Sequence, residues 1–140
     1  MRRLFLDANV LFTAAHNPCG KASLVLELGT RGYWRVATST LAAEEARRNL
    51  ASKFPNALSR LEQLLRDIKV LPSVSGRACP IDLPAKDQPI FLTALSYGAT
   101  HLLTGDMHHF GPFMNDTSMN DTSKTSGIRI TTVAAFLAEK

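Results

Sequence analysis

The sequence predicts a single α/β domain, spanning residues 1–140, with a mostly parallel central sheet and helices on its faces. Three observations predict it. Short apolar or β-branched runs alternate with segments of helical spacing, the pattern of parallel strands joined by helical crossovers. Two of these runs stop at an aspartate, Asp7 directly and Asp106 after one glycine. In such sheets the functional crevice lies beyond the carboxyl ends of the strands. Finally, 140 residues with 45% hydrophobic and 20% charged content suffice for one buried core without disulfide or metal staples.

Taken in order, RLFLD (3–7) reads as a short buried strand halted by Asp7, and no element is assigned between residues 8 and 20. KASLVLELGTRG (21–32) is a helix, with Ala22, Leu24, Val25 and Leu28 at helical spacing and Gly32 as its stop. WRVATS (34–39) is a strand, with Trp34 read as core. A helix over 39–54 opens at Ser39 or Thr40, and another over 57–68 follows Pro55. KVL (69–71) is a brief strand, and RACPIDLPA (77–85) is a Pro-punctuated loop. The remaining elements are a helix across 87–98, strands at 100–104 and 127–131, and a closing helix, TVAAFLAEK. Between the last two strands, MNDTSMNDTS is a tandem repeat rich in Asn, Asp, Ser and Thr. It predicts an exposed low-complexity loop at about 114–126.

Composition narrows the function only weakly. A net charge of +4 favours an anionic partner such as nucleic acid, although many small proteins share it. Cys19 and Cys79 form no zinc or disulfide pattern. No signal peptide is read in MRRLFLDANV, and no apolar run approaches a membrane span. The expectation is a cytoplasmic protein without a membrane partner.

The acids carry more. Asp7 ends a strand, Asp87 opens a helix, Asp106 follows a strand, and Glu44 or Glu45 lies in a helix. Each has an ordinary alternative: Asp87 as an N-cap ahead of Pro89, Asp106 as a turn residue, Asp7 as a strand terminus. Gathered at one sheet edge they would repel one another unless a cation neutralised them. Hard divalent ions take carboxylates and waters and leave room for a phosphate, which suits metal-assisted attack on a phosphodiester. Helical geometry separates the two glutamates. Ala42, Ala46, Leu50 and Phe54 mark a buried stripe, and at roughly 100° per residue Glu45 lies about 60° from Ala42. Glu44 points nearly opposite, where Arg48 is within i+4 reach. His108 and His109 are adjacent and so poorly placed to share one ion, and no HExxH or cysteine pattern accompanies them. They read as surface or nucleic-acid-contacting residues, or His109 as an outer ligand or proton donor. Arg47, Arg48, Lys53 and Arg60 read as a solvated helix face or as a nucleic-acid track.

FLDANVLFTA, TSTLAAEEARRNL and KDQPIFLTALSYGATHLLTGDMHHF together resemble the successive signature blocks of the PIN domain. The resemblance implies a three-layer α/β/α fold and a Mg²⁺- or Mn²⁺-dependent endoribonuclease acting on single-stranded RNA, often the VapC-type toxin of a toxin–antitoxin pair and usually a homodimer. It carries the family's metal-binding and catalytic acids onto Asp7, Glu45, Asp87 and Asp106, and its supporting polar positions onto Asn9 and Thr104. Many relatives have a further aspartate where this chain has His109. That departure touches a second metal site more than the first. The other class left open is a nucleic-acid-binding module with a weakened site.

Overall fold

Five parallel strands in the order β3-β2-β1-β4-β5 form the sheet. The computed structural model describes residues 1–114 and 127–139, so the repeat and its expected loop, Met114 apart, lie outside the described residues. β1 (Arg3–Leu6) leads into α1 (Ala8–His16) and α2 (Lys21–Thr30). β2 (Arg35–Ser39) leads into α3 (Thr40–Lys53), a 3₁₀ turn at Pro55–Ala57 and α4 (Leu58–Arg66). Next come β3 (Lys69–Leu71), α5 (Gln88–Tyr97), β4 (His101–Leu103), a 3₁₀ turn at Gly111–Phe113, β5 (Arg129–Thr131) and α6 (Val133–Leu137).

β1 is central. Phe5 pairs with Ala37 of β2 on one side and with Leu102 of β4 on the other. The chain runs outward from β1 through β2 to β3, then crosses back to β4 and β5. Right-handed crossovers therefore set α5 on the face opposite α1 to α4. The order reverses between β1 and β4, the switch point beyond whose carboxyl ends such sheets place their functional crevice. Asp7 N donates to Leu103 O at 3.0 Å, extending the ladder to that switch point.

Each strand expected from the sequence forms, β3 over the expected residues and the others trimmed by one or two. α1 is the addition. Its Ala8, Val10, Leu11, Ala14 and Ala15 are buried, while Asn9, Thr13 and His16 recur at helical spacing on the opposite, less buried face. Packing against α2, α3 and α4 buries it. α3 is capped as expected, with the Ser39 side chain accepting from Ala42 N. Ala42, Ala46 and Leu50 are buried, but Phe54 is not: the helix ends at Lys53, and Phe54 is 46% exposed. It stacks on His16 with ring centroids 4.6 Å apart. α5 ends at Gly98, whose φ of 77° is left-handed and favours glycine.

Trp34 is core, its Nε1 donating to Val25 O at 2.9 Å. Arg2 lies over both the Trp34 and Phe136 rings, and His101 Nε2 lies 3.0 Å from Glu139; these contacts fasten the C-terminal segment to the sheet. Both cysteines are free. Among the described residues no helix is long and apolar enough to cross a membrane.

Candidate functional site

Asp7 sits where β1 becomes α1, as that helix's N-cap. Its Oδ1 accepts from Ala8 N at 2.7 Å. Its Oδ2 accepts from Thr104 Oγ1 at 2.8 Å and from Asn9 Nδ2 at 3.4 Å. Thr104 uses its whole hydroxyl: while donating to Asp7 it accepts from Asn9 Nδ2 at 3.2 Å and from Asp106 N at 3.0 Å. Asn9 closes the circuit by accepting from Gly105 N at 2.7 Å. The ends of β1 and β4 are thus laced together by Asp7, Asn9 and Thr104. Asp7 is 6% exposed. Burial, reinforced by the charges of Glu45 and Asp87, pushes its carboxyl to about 6 despite the bonds from Thr104 and Ala8.

Asp106 fixes its turn with one oxygen and meets His109 with the other. Its Oδ1 accepts from the backbone N–H groups of His108 and His109 at 3.1 and 3.0 Å, fixing the turn. Its Oδ2 is left for the crevice, 2.9 Å from His109 Nδ1. Burial pushes this carboxyl up, but the bonds from His109 and His108 outweigh it and hold it below the ordinary carboxylate range.

Asp87 holds the N-cap position of α5, yet its side chain caps nothing. Oδ2 lies 3.0 Å from His109 Nδ1 and is buried without a hydrogen-bond partner. The two statements agree, because a ring nitrogen carries one proton and its direction favours Asp106. Burial raises the Asp87 carboxyl, Asp106 raises it further, and the His109 charge opposes both. Asp87, Asp106 and His109 each offer one ligand atom, all within 4.8 Å of one another.

Glu45 is a looser member. Both glutamates are exposed, so burial does not separate them, but their fields do. Glu45 acts on Asp7, whereas Glu44 acts on Arg47. Among the described residues no ion pair joins Glu44 to Arg48. The basic residues divide likewise. Arg47 is spent on a bidentate pair with Glu62 at 2.7 and 3.0 Å. Arg60 donates to Ala14 O and Ser23 Oγ, both at 3.3 Å. These two arginines brace helices. The placement of His109 between two carboxylates has one sequence signal, its i+3 spacing from Asp106 on a turn. His108 is exposed.

The donor set fits a divalent cation: oxygen-rich, crowded with negative charge, and containing a buried carboxylate oxygen that accepts no hydrogen bond.

No family model matches the sequence, and no curated protein matches it as a relative. Solved structures do match in fold. The chain is similar to a DNA-bound VapBC from Salmonella typhimurium, with TM-score 0.63 and 17% identity over 95% of this chain and 99% of that one. VapC20 of Mycobacterium tuberculosis, described as a sarcin–ricin-loop-cleaving toxin, gives TM-score 0.56 and 12% identity over 75% and 91% of the two chains. VapBC-1 of nontypeable Haemophilus influenzae gives TM-score 0.54 and 12% identity over 94% and 98%. With its strand order and these likenesses, the chain has a PIN/VapC-type fold.

Proposed function

We propose that the protein is an endoribonuclease dependent on Mg²⁺ or Mn²⁺, acting on single-stranded RNA as the toxin of a toxin–antitoxin pair. The observation that supports this reading is the grouping of Asp87, Asp106 and His109 within 4.8 Å, with Asp87 Oδ2 buried without a hydrogen bond and the charges of Glu45 and Asp87 felt at the buried Asp7, whose carboxyl is pushed to about 6. Such a cluster is under-neutralised by the protein alone. Asp7, Asp87 and Asp106 would hold the cation, with Glu45 at the outer side. When bound, a divalent ion supplies a more acidic water and neutralises charge developing on a phosphodiester. Thr104 and Asn9 keep Asp7 ionisable and aimed, and Gly105 N–H fixes Asn9. Asp106 spends one oxygen on its own turn, so the other has a set direction. Hydrolysis in line would leave a 3′-hydroxyl and a 5′-phosphate. The toxin role draws on the PIN resemblance and on the similar VapBC and VapC structures; a small antitoxin protein and a second copy of the chain are the partners it implies.

The test is incubation with a single-stranded RNA oligomer and Mg²⁺ or Mn²⁺, with and without a chelator. Cleavage abolished by chelation and by Asp7→Asn supports the reading; metal-independent cleavage, or an undiminished Asp7→Asn, defeats it. One observation favours a second reading. His109 already bridges Asp87 and Asp106, as a built-in counter-charge would, which suits a module that binds RNA without cutting it. Tight RNA binding with no cleavage at any divalent concentration would select that reading.

A further inference from the structure

Where many PIN domains have another aspartate, this chain presents an imidazole, and the structure gives that imidazole a specific position. Nδ1 of His109 lies 2.9 Å from Asp106 Oδ2 and 3.0 Å from Asp87 Oδ2. The same residue's backbone N–H is held by Asp106 Oδ1 at 3.0 Å, so the turn that carries Asp106 also carries the ring. Asp87 Oδ2, buried and without a hydrogen-bond partner, faces the same point from α5. Three ligand atoms from two separate elements therefore converge within 4.8 Å, and one is nitrogen.

We propose that His109 binds the site's divalent ion through Nδ1, the proton it directs at Asp106 passing to solvent or the ring switching to its Nε2–H tautomer, making a mixed nitrogen–oxygen centre that selects first-row transition ions against Mg²⁺. The inference rests on the nuclease reading for the presence of an ion, and it adds which ion. Mg²⁺ demands near-octahedral oxygen ligands and retains its waters. Imidazole adds little to its binding, while replacing a carboxylate removes one negative charge. Transition ions lose the same charge but gain a nitrogen donor, and the gain grows from Mn²⁺ to Co²⁺ along the Irving–Williams series. His109 is thus a selectivity residue, and the preference should run Co²⁺ over Mn²⁺ over Mg²⁺.

Calorimetric titration of the full chain with Mg²⁺, Mn²⁺ and Co²⁺, without RNA, reads the preference directly. The parent should bind Mn²⁺ at least about tenfold more tightly than Mg²⁺. His109→Ala should weaken Mn²⁺ by about tenfold or more, since even groups that only support a ligand change affinity by 10–100-fold. His109→Asp should tighten Mg²⁺ and shrink the Mn²⁺/Mg²⁺ ratio; it preserves a polar side chain in the turn should the alanine variant fail to fold. Electron spin-echo modulation of the Mn²⁺-loaded parent should show a coordinated imidazole nitrogen that both variants lack. Equal Mg²⁺ and Mn²⁺ affinity in the parent, unchanged by His109→Asp, would overturn the assignment of His109 and leave the nuclease reading intact. Tighter Mn²⁺ binding by His109→Ala would also overturn it, showing the ring to be a counter-charge that the ion must displace. A parent that binds none of the three ions would instead bring down the metal-dependent nuclease reading itself.

Discussion

Replacing Asp7 with asparagine should stabilise the metal-free protein at neutral pH and destabilise it in acid. The folded Asp7 carboxyl lies at about 6 against an ordinary 3.8, so the folded state holds that proton more tightly than the unfolded chain does. The stability this contributes is complete below 3.8 and is lost as the pH rises through about 6. At about 1.4 kcal/mol per pKa unit, the loss is ~3 kcal/mol. The substituted amide carries no charge and escapes that loss. It does introduce a mismatch. Asp7 accepts from Ala8 on one oxygen and from Thr104 and Asn9 on the other, so an amide must turn its NH₂ towards donors. A poorly matched buried polar contact costs about 1–2 kcal/mol. The net gain at pH 7.5 is then ~1–2 kcal/mol, or about 3–6 °C in melting temperature for a domain of this size. At pH 4.5 most of the gain is gone, and the variant should melt below the parent. Melts of both proteins in chelator across pH 4.5 to 7.5 measure this crossover. If the Asp7→Asn protein melts lower throughout, the buried charge is not penalised, and the account of Asp7 as an under-neutralised carboxylate fails.

Three further outcomes are expected. Saturating Mn²⁺ should raise the melting temperature of the parent far more than that of Asp7→Asn; an ion at ~100 times its dissociation constant adds ~2.7 kcal/mol, and an unmoved parent melt would count against the site. Thr104→Val removes a hydroxyl that serves Asp7, Asn9 and Asp106 together and should destabilise by about 2–3 kcal/mol, with RNA cleavage falling in parallel; denaturant titration and a cleavage assay check both. Glu45→Gln should reduce cleavage and metal affinity while Glu44→Gln leaves both near the parent, because only Glu45 acts on Asp7; the reverse ranking would overturn the assignment of α3's faces.

Much of the site is legible in the sequence because its acids sit at punctuation marks. Asp7 and Asp106 follow strands, and a parallel sheet must bring such ends to one edge. What a sequence does not disclose is where a side chain spends its hydrogen bonds. Asp87 has every sequence feature of an N-cap, but its carboxylate turns away from the helix. Helical angle separates Glu44 from Glu45, and it is the charge of Glu45 that reaches Asp7, although both side chains remain exposed. Helical period is present in α1, where Asn9, Thr13 and His16 line one face opposite the buried residues, but Asp7 is the whole of its junction with β1, so strand and helix read as one apolar run. Phe54 joins the buried stripe only if the period is extended beyond the helix's actual end at Lys53.

The pairing of β1 with β4 has a consequence for the timing of assembly. Leu4 lies beside His101, and Asp7 is bonded to Leu103 O and Thr104 Oγ1, contacts that span almost a hundred residues. Closing so long a loop is slow compared with forming the helices between its ends. Of the acids, Asp106 is the last to be synthesised. A chain still growing on the ribosome therefore carries Asp7 at an incomplete edge, without the threonine that orients it or the carboxylates that would share its ion. Under the nuclease reading proposed above, catalytic competence is withheld until β4 docks, and translation order itself would postpone any damage a nascent chain could do to the RNA around it.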